Sequence, residues 1–355
     1  MEAIMLNIKK LCSDGFTIPN LSRDMDSIAF ISLKAALKSY FSTYKCMGYY
    51  GKDLFENKID INSYSTEYIE YYFETIIHFQ HFFELICKDI LREENELLVL
   101  NIDNNNEVLF KLVQGEEVQS EELVNIKTIE FDRTFKRLCD LLDKEKLNPS
   151  YSFFKATSTK DALKQLNIMR NRIWHRGIYV MKYKDLDLFI GQYILPIVKE
   201  IISLEKYSKF DRFWKYRQKE LKFDPLDEII NTCSTEHPNI DHVAFLKEIG
   251  RAAYHNPHSH GFGFMKDEIA NRAIRIALNE IPFENNESLI INCPVCDTNS
   301  LVKYLDSEVD KEKYLTWVNN IKCHCCSFEL QSSGMKNPSE YGYKTIPDFW
   351  HEEEC

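Results

Sequence analysis

The sequence lacks any uninterrupted apolar stretch of the roughly 18 residues that a membrane-spanning helix requires. Its first ten residues lack the pattern of a secretory signal peptide, because their lysines follow the short apolar stretch instead of preceding it. The chain also lacks an excess of positive charge: its formal net charge is -11, which argues against a protein that coats nucleic acid by bulk attraction. We therefore expect a cytoplasmic protein without a membrane partner.

Internal repeats and long low-complexity tracts are also absent, and 355 residues are enough for two or three domains. Apolar residues recur at helical spacing, which predicts helices over about 26–50, 66–96, 126–147, 161–177 and 185–206, and a helical region over 225–280 that a loop at 255–263 interrupts. Ser63 or Ser65 is expected to cap the second of these helices. A small hairpin is predicted near 98–122, and short strands are predicted from residue 288 onward. The predicted fold class is mainly α, a helical bundle with additional helices and a small C-terminal β-rich module.

Five of the eleven cysteines are crowded into one short C-terminal stretch. Four of them form two Cys-x2-Cys pairs separated by 26 residues, and these are Cys293, Cys296, Cys323 and Cys326. Thiolates at this spacing turn the chain around one corner of a tetrahedron, so two pairs predict a four-thiolate zinc site. We expect the zinc to be structural, since the ligand set leaves no open position for a catalytic water. His324 and Cys325 lie between the two cysteines of the second pair, and either could replace one ligand.

Residues 170–175 form a second chemically interesting cluster, with the sequence Arg-Asn-Arg-Ile-Trp-His. An arginine followed by a histidine after four to six residues is a weak pattern by itself, and residues 251–258 also satisfy it. The cluster at 170–175 lies in a predicted helix that begins near Thr159 or Asp161 and ends near Gly177.

The helical facing of this cluster distinguishes it from an ordinary core segment. At roughly 100° per residue, one stripe of the helix is apolar. Its members are Leu163, Leu166, Met169 and Ile173. Asn171 and His175 lie one above the other, nearly opposite that stripe. His175 is therefore expected to face solvent or a partner helix, and a solvated histidine among surface arginines is the alternative to a functional site.

These residue types suit the cleavage of RNA without a metal ion. The 2′-hydroxyl of an RNA strand can attack the adjacent phosphorus when a group with a near-neutral pKa moves protons, and histidine supplies such a group. An arginine fork can stabilise the charge that develops on the phosphate oxygens. An asparagine amide can orient either group or the phosphate itself. The cluster therefore predicts a composite ribonuclease site.

The cluster Arg170, Asn171 and His175, late in a helical bundle, resembles the motif of the HEPN superfamily of ribonucleases and nucleotide-binding domains. Members commonly carry an arginine, a polar residue that is often asparagine, and a histidine that four to six residues separate from the arginine. Glu84 and Lys88 in the earlier long helix are similar to the Glu-x3-Lys-x2-Leu pattern of many such domains. The same spacing is also that of an ordinary ion pair on a helix surface.

The resemblance covers roughly residues 60–205, and the insertion near 98–122 departs from a minimal bundle. It implies a homodimer, or a higher homo-oligomer, in which two copies of the motif face one cleft. It also implies metal-independent cleavage of RNA that leaves a 2′,3′-cyclic phosphate. Many members are toxins or antiviral effectors that cut tRNA or other RNA, which would add an antitoxin or inhibitor as a partner.

The resemblance assigns roles to individual residues. His175 would transfer protons, Arg170 would stabilise the phosphate and Asn171 would orient the reacting groups. Arg172 and Arg176 would hold the RNA strand, unless they are simply solvated. Two other functions stay open: a non-catalytic regulator that binds RNA or nucleotides, and a scaffold or sensor subunit of a defence complex.

Two further segments carry functional residue types. Residues 206–222 contain seven basic and two acidic residues interleaved with aromatic residues. This pattern fits an RNA-binding face that includes Lys215 and Arg217, or an amphipathic helix whose lysines extend over a core. A loop also carries three histidines that fit either a second metal site or a polar loop, and these are His255, His258 and His260.

Four regions are predicted from these features. They are an N-terminal helical segment (1–60), a HEPN-like ribonuclease domain (61–222), a helical region (223–285), and a zinc ribbon with a C-terminal tail (286–355).

Overall fold

The computed structural model describes residues 21–101, 106–116, 127–177, 179–216, 221–257, 265–281, 289–310 and 313–354. Within these ranges the chain forms twelve α-helices and one antiparallel sheet, which confirms the predicted fold class. The helices are α1 (Leu21–Ser42), α2 (Lys52–Phe55), α3 (Thr66–Glu94), α4 (Asn106–Gln114), α5 (Phe131–Asp143), α6 (Thr157–Arg176), α7 (Tyr183–Phe189), α8 (Leu195–Ile202), α9 (Asp211–Trp214), α10 (Pro225–Cys233), α11 (Ile240–His255) and α12 (Lys266–Glu280). No helix in this part of the chain is both long and apolar enough to cross a bilayer.

The sheet is built from two long strands and three short ones. Its strands are β1 (Ile290–Asn292), β2 (Asn299–Asp310), β3 (Lys313–Cys323), β4 (Glu329–Gln331) and β5 (Glu352–Glu354). Strands β1 to β4 are hydrogen-bonded in sequence order, and every pairing is antiparallel. Strand β5 pairs with β3 near Trp317, beyond the end of β4. The sheet therefore closes the C-terminal part of the fold with β3 at its centre.

Helix α3 is the central element of the helical body. Its predicted cap is confirmed: the Ser65 hydroxyl accepts a hydrogen bond of 3.1 Å from the Tyr68 amide. Helix α1 packs along one side of α3, and the hydroxyl of Ser39 donates to the Glu74 carboxylate over 2.7 Å. Helices α5 and α6 pack on the other sides. The long apolar stripe of α3 is buried by these neighbours.

The predicted hairpin near 98–122 is wrong in the part of that segment that the structure describes. Residues 106–114 form helix α4, and β pairing there is limited to a single bridge between Leu100 and Thr128. Val108 is buried and Leu112, four residues later, packs partly buried on the same core. A spacing of four residues is typical of a helix, and packing of the face that carries Val108 and Leu112 favours a helix over a hairpin. Residues 102–105 and 117–126 lie outside the described residues.

The predicted helix over 185–206 is divided into two α-helices by a π-helical segment, Ile190–Ile194. Pro196 lies in the first turn of α8, immediately after that segment. Proline has no amide hydrogen, so it cannot donate the hydrogen bond of a regular α-helix. The change from π-helical to α-helical winding immediately before Pro196 means that no such bond is required there.

One continuous hydrophobic core joins the helical body to the C-terminal sheet. The same cluster of packed side chains includes Phe41 of α1, Ile249 of α11, and Leu301, Ile321 and Phe349 of the C-terminal part. The close approach of α11 to α1 depends on Gly250, where an added Cβ would lie 2.5 Å from the Phe41 ring. The sheet is therefore anchored on α11 and not tethered by a linker alone.

A polar contact also joins α11 to the C-terminal segment. The Nε2 atom of His242 lies 2.9 Å from the Tyr343 hydroxyl, and Nδ1 lies 3.1 Å from the Thr232 hydroxyl. The His242 ring stacks on Tyr341 at a centroid distance of 4.6 Å. Burial lowers the pKa of His242 to about 4. The folded chain therefore holds this imidazole neutral at pH values where a free histidine is protonated.

This contact predicts an acid-sensitive contribution to stability. An unfolded histidine has a pKa of about 6.5, so the unfolded chain binds more protons than the folded chain between pH 4 and 6.5. Stability is lost as the pH falls through that window. Between pH 7 and pH 5 we expect the wild type to lose about 1–2 kcal/mol more unfolding free energy than His242→Gln, measured by urea denaturation. The exposed His237, changed to Gln, is the matched control, and equal losses in all three proteins would contradict the prediction.

Candidate active site and metal centre

Helix α6 carries residues 170–175 in its last two turns. Its apolar stripe is buried as predicted, and the buried residues are Leu163, Leu166, Met169 and Ile173. The helix begins at Thr157, and the preceding Ala156 provides no side-chain cap. It ends at Gly177, whose left-handed backbone lets its amide donate to the carbonyls of Arg172 and Ile173 over 3.1 Å. Burial of the apolar stripe and the end of the helix at Gly177 together determine which residues of the last turns point outward.

The predicted catalytic residues lie on the outward side of α6. His175 is exposed, and Asn171 and Arg170 are half-buried. The structure brings two of them together, because Nη1 of Arg170 donates to Oδ1 of Asn171 over 3.0 Å. The Arg170 guanidinium also lies over the ring of Trp174, 5.6 Å from its centroid. The arginine fork is thus held in place, while the histidine is open to a ligand or to another molecule.

The two residues of the predicted supporting pattern form an ion pair on α3. Nζ of Lys88 lies 2.6 Å from Oε1 of Glu84 and also donates to Oγ1 of Thr128 over 2.9 Å. Burial alone would raise the pKa of Glu84, but hydrogen bonding and the charge of Lys88 outweigh it and lower that pKa. Gln80 donates a further hydrogen bond of 3.0 Å to the same carboxylate. The pair therefore connects α3 to the chain around Thr128 and keeps its charges engaged.

His81 is a histidine of α3 that was not among the predicted site residues. It is exposed on α3, one turn before Glu84, and its Nδ1 atom lies 2.8 Å from the Ser32 hydroxyl of α1. Burial of its inner side is the main cause that lowers the pKa of His81, and the nearby charge of Arg170 adds to the effect. His81 and Arg170 thus belong to one surface formed by α3 and α6. The spacing of three residues between His81 and Glu84, which places both on one face of α3, was the sequence signal available for this surface.

The basic and aromatic segment 206–222 packs mainly against the body. Its buried aromatic residues are Tyr207, Phe210, Trp214 and Tyr216. Lys206 pairs with Asp89 and, over 2.6 Å, with Glu93 on α3, while exposed Lys215 lies 3.7 Å from Asp211. These contacts favour the amphipathic alternative for this segment. Arg217 lies outside the described residues.

The four predicted zinc ligands come together in two equivalent turns. The amide of Asp297 donates to the carbonyl of Cys293 over 2.8 Å, and the amide of Ser327 donates to the carbonyl of Cys323 over 3.1 Å. Both Asp297 and Ser327 adopt the left-handed conformation, with φ of 55° and 62°. Each Cys-x2-Cys pair thus folds into the same tight turn, and the two turns face each other.

The geometry and donor chemistry of this cluster fit a metal ion. All four sulfur atoms are buried and lie within 4.8 Å of one another. The Sγ atoms of Cys293 and Cys326 are 3.5 Å apart, and those of Cys296 and Cys323 are 3.6 Å apart. These distances exceed the roughly 2.05 Å of a disulfide and approach the ~3.8 Å edge of a tetrahedron with metal–sulfur bonds of ~2.3 Å. The cluster is therefore suited to a structural metal ion.

Neighbouring groups complete the surroundings of the cluster. The amide of Cys325 donates to the Cys323 sulfur over 3.4 Å, so Cys325 contributes its backbone to this turn. His324 lies 3.2 Å from the Glu280 carboxylate of α12 and 3.1 Å from the Tyr304 hydroxyl, and it is not a member of the cluster that the four cysteines form.

A buried ion pair of α11 holds the second turn against the helical body. The Arg251 guanidinium pairs with the Glu248 carboxylate over 2.5 and 2.7 Å and also donates to the Ser327 carbonyl. Glu248 accepts a further hydrogen bond of 2.7 Å from the Glu329 amide of β4. Arg251 is thus fully engaged in structure. The second Arg-to-His match at 251–258 cannot use it as a free cation, and His258 and His260 lie outside the described residues.

His255, the remaining member of the histidine loop, is exposed at the end of α11. Comparisons with known proteins add no further identification, because no family model, no curated protein and no solved structure matches this chain.

Proposed function

We propose that this protein is a metal-independent endoribonuclease that resembles HEPN ribonucleases. The observation that carries the proposal is the outward face of the last two turns of α6, the ridge formed by Asn171 and His175. Arg170 is hydrogen-bonded to Asn171, and His175 is exposed one turn further on. A histidine and a positioned arginine fork are the two groups that transesterification of RNA needs.

The proposed reaction uses only these side chains and the RNA. The 2′-hydroxyl of the RNA loses its proton to a basic imidazole as its oxygen bonds to the adjacent phosphorus. The phosphorus–O5′ bond breaks, and the departing oxygen takes a proton from an acidic imidazole. The guanidinium of Arg170 stabilises the negative charge on the phosphate oxygens, and Asn171 orients that guanidinium. The products are a 2′,3′-cyclic phosphate and a 5′-hydroxyl.

A homodimer supplies the second imidazole that the reaction uses. One protomer offers a single His175 at this ridge, whereas two facing copies offer one histidine as base and another as acid. Arg172 and Arg176, exposed on the same turns, are proposed to hold the strand on either side. In the cell such an activity fits a toxin or an antiviral effector, restrained by an inhibitor partner until it is needed.

The metal at the four-cysteine cluster is proposed to be zinc. Four thiolates in a closed tetrahedral set select Zn²⁺ among common cellular ions, and the closed set assigns it a structural role. The residues that would hold it are Cys293, Cys296, Cys323 and Cys326. Its proposed contribution is to fix the two turns onto α11.

Expression in growing bacterial cells tests the proposed function. The wild-type chain is expected to arrest growth and to fragment cellular RNA, and Arg170→Ala or His175→Ala is expected to relieve both effects. Arg133→Ala on α5 is the matched control, because it removes an exposed arginine elsewhere. Equal growth arrest by the wild type and both motif variants would contradict the proposal. Tight binding of RNA by the purified wild type without turnover would instead favour the non-catalytic regulator, a function that the exposed arginines of α6 would also serve.

A further inference from the structure

Two arginine–aromatic pairs flank the Asn171–His175 ridge. Successive residues of a helix rotate by roughly 100°, so Trp174 lies on one side of His175 and Arg172 on the other. On the first side the Arg170 guanidinium lies over the Trp174 ring at 5.6 Å. On the second side the Arg172 guanidinium lies 5.2 Å from the centroid of the Tyr179 ring. The proposed reaction centre is thus bracketed by two rings.

Both rings are exposed to solvent. Trp174 is 65% exposed and Tyr179 is 37% exposed. Tryptophan ordinarily buries most of its surface, so the exposed ring of Trp174 on the last turn of α6 is informative about a ligand. The arginines lie against the rings and hold them in position without covering them completely. Each pair therefore presents a flat π surface next to a positive charge.

We propose that Trp174 and Tyr179 are stacking platforms for two nucleobases, one on each side of the phosphate that His175 and Arg170 act upon. The inference rests on the proposed function for the chemistry and adds the substrate form: unpaired, single-stranded RNA with both neighbouring bases accessible. Bases within a duplex have their faces occupied by stacked neighbours and cannot use either ring.

Charge favours RNA over a protein partner on this surface. Three arginines accompany the two rings, although the formal net charge of the whole chain is -11. Arg170 and Arg172 each combine stacking with a positive charge, which suits a base next to a phosphate. In the proposed dimer the arginines of two facing copies repel each other, and the phosphates of an RNA strand between them offset that repulsion. A strand of RNA satisfies both the rings and the charges.

Binding to the full-length His175→Ala chain tests the platforms without cleavage. The probes are a single-stranded decamer of uridylate and an abasic decamer with the same phosphates. We expect the uridylate decamer to bind about tenfold more tightly and to quench tryptophan fluorescence. Adding Trp174→Leu is expected to remove most of both effects, and adding Tyr179→Leu is expected to weaken binding by several-fold. Tyr193→Leu, which removes another exposed ring, is the matched control and should change neither.

Three outcomes would overturn the inference. One is equal binding of the uridylate and abasic decamers. Another is an unchanged affinity in both platform variants. The third is a shift of the monomer–dimer equilibrium by Trp174→Leu with unaltered RNA affinity, which would assign that ring to a contact between copies. Cleavage by the wild type separates the two proposals: an active wild type with base-independent binding refutes only the platforms, and base-dependent binding without any cleavage refutes only the nuclease.

Discussion

Replacing His175 with alanine is expected to reduce RNA cleavage by about 10²–10⁴-fold while leaving the fold intact. The loss follows from the chemistry, because the imidazole moves the protons of the 2′-hydroxyl and the departing 5′-oxygen. The fold should persist because the side chain is exposed, and substitutions at such positions usually change stability by no more than about 0.5 kcal/mol. The measurement is the single-turnover rate on a defined single-stranded RNA, together with the urea midpoint of each protein.

His237→Ala is the control for this experiment, since His237 is an exposed histidine on a loop away from α6. It should cleave at the wild-type rate. Arg170→Ala is expected to be impaired as well, because it removes the charge that stabilises the phosphate and leaves Asn171 without its partner. An undiminished cleavage rate in His175→Ala would contradict the assignment of that residue. A lower cleavage rate accompanied by a lower urea midpoint would reflect loss of stability and would not support the assignment.

Replacing Cys296 with serine is expected to release the metal and to unfold the C-terminal sheet. Metal binding at structural four-thiolate sites is coupled to folding by on the order of 10 kcal/mol, so one missing ligand removes much of the stabilisation of the two turns. The effect should extend into α11, because the Arg251–Glu248 pair would lose its contacts with Ser327 and Glu329. Hydrogen exchange is the measurement, and loss of protection is expected in β1–β4 and around Glu248.

Cys325→Ser provides the matched control for the metal site. Cys325 lies between two ligands, but it is partly exposed and contributes its backbone amide to Cys323. This variant should retain one zinc ion per chain by elemental analysis and the wild-type pattern of hydrogen exchange. Equal metal contents in Cys296→Ser and the wild type, or full protection of the sheet after metal removal, would contradict the proposed site.

Much of the local structure could be predicted from the sequence because short-range rules decide it. Ser65 caps α3 by bonding an amide three residues later, and Gly177 ends α6 with a left-handed turn. The cysteine spacing alone locates the four-cysteine cluster. The hairpin predicted near 98–122 is wrong because the turn residues around that segment favoured a hairpin. The helical spacing of Val108 and Leu112 was a weaker signal.

Long-range contacts are what the sequence could not provide. Arg251 matches a catalytic motif by spacing, yet it pairs with Glu248 and Ser327, a residue 76 positions away. His81 belongs to the surface of Arg170 only because α3 and α6 pack side by side. The turns after Cys296 and Cys326 lack glycine, although Asp297 and Ser327 adopt positive φ, so no turn signal marked their shared geometry. The platforms at Trp174 and Tyr179 likewise became visible only through exposure and ring contacts.

The chemical identity of the RNA ends tests the proposed nuclease most directly. The purified full-length chain is incubated with total RNA in EDTA, the zinc content of the same sample is determined, and both termini at each cut are mapped. We expect 2′,3′-cyclic phosphates and 5′-hydroxyls at cuts between unpaired nucleotides, and no such ends with His175→Ala. Ends that carry 5′-phosphates, cleavage that requires added Mg²⁺, or the same cuts from the His175→Ala chain would contradict the proposed function.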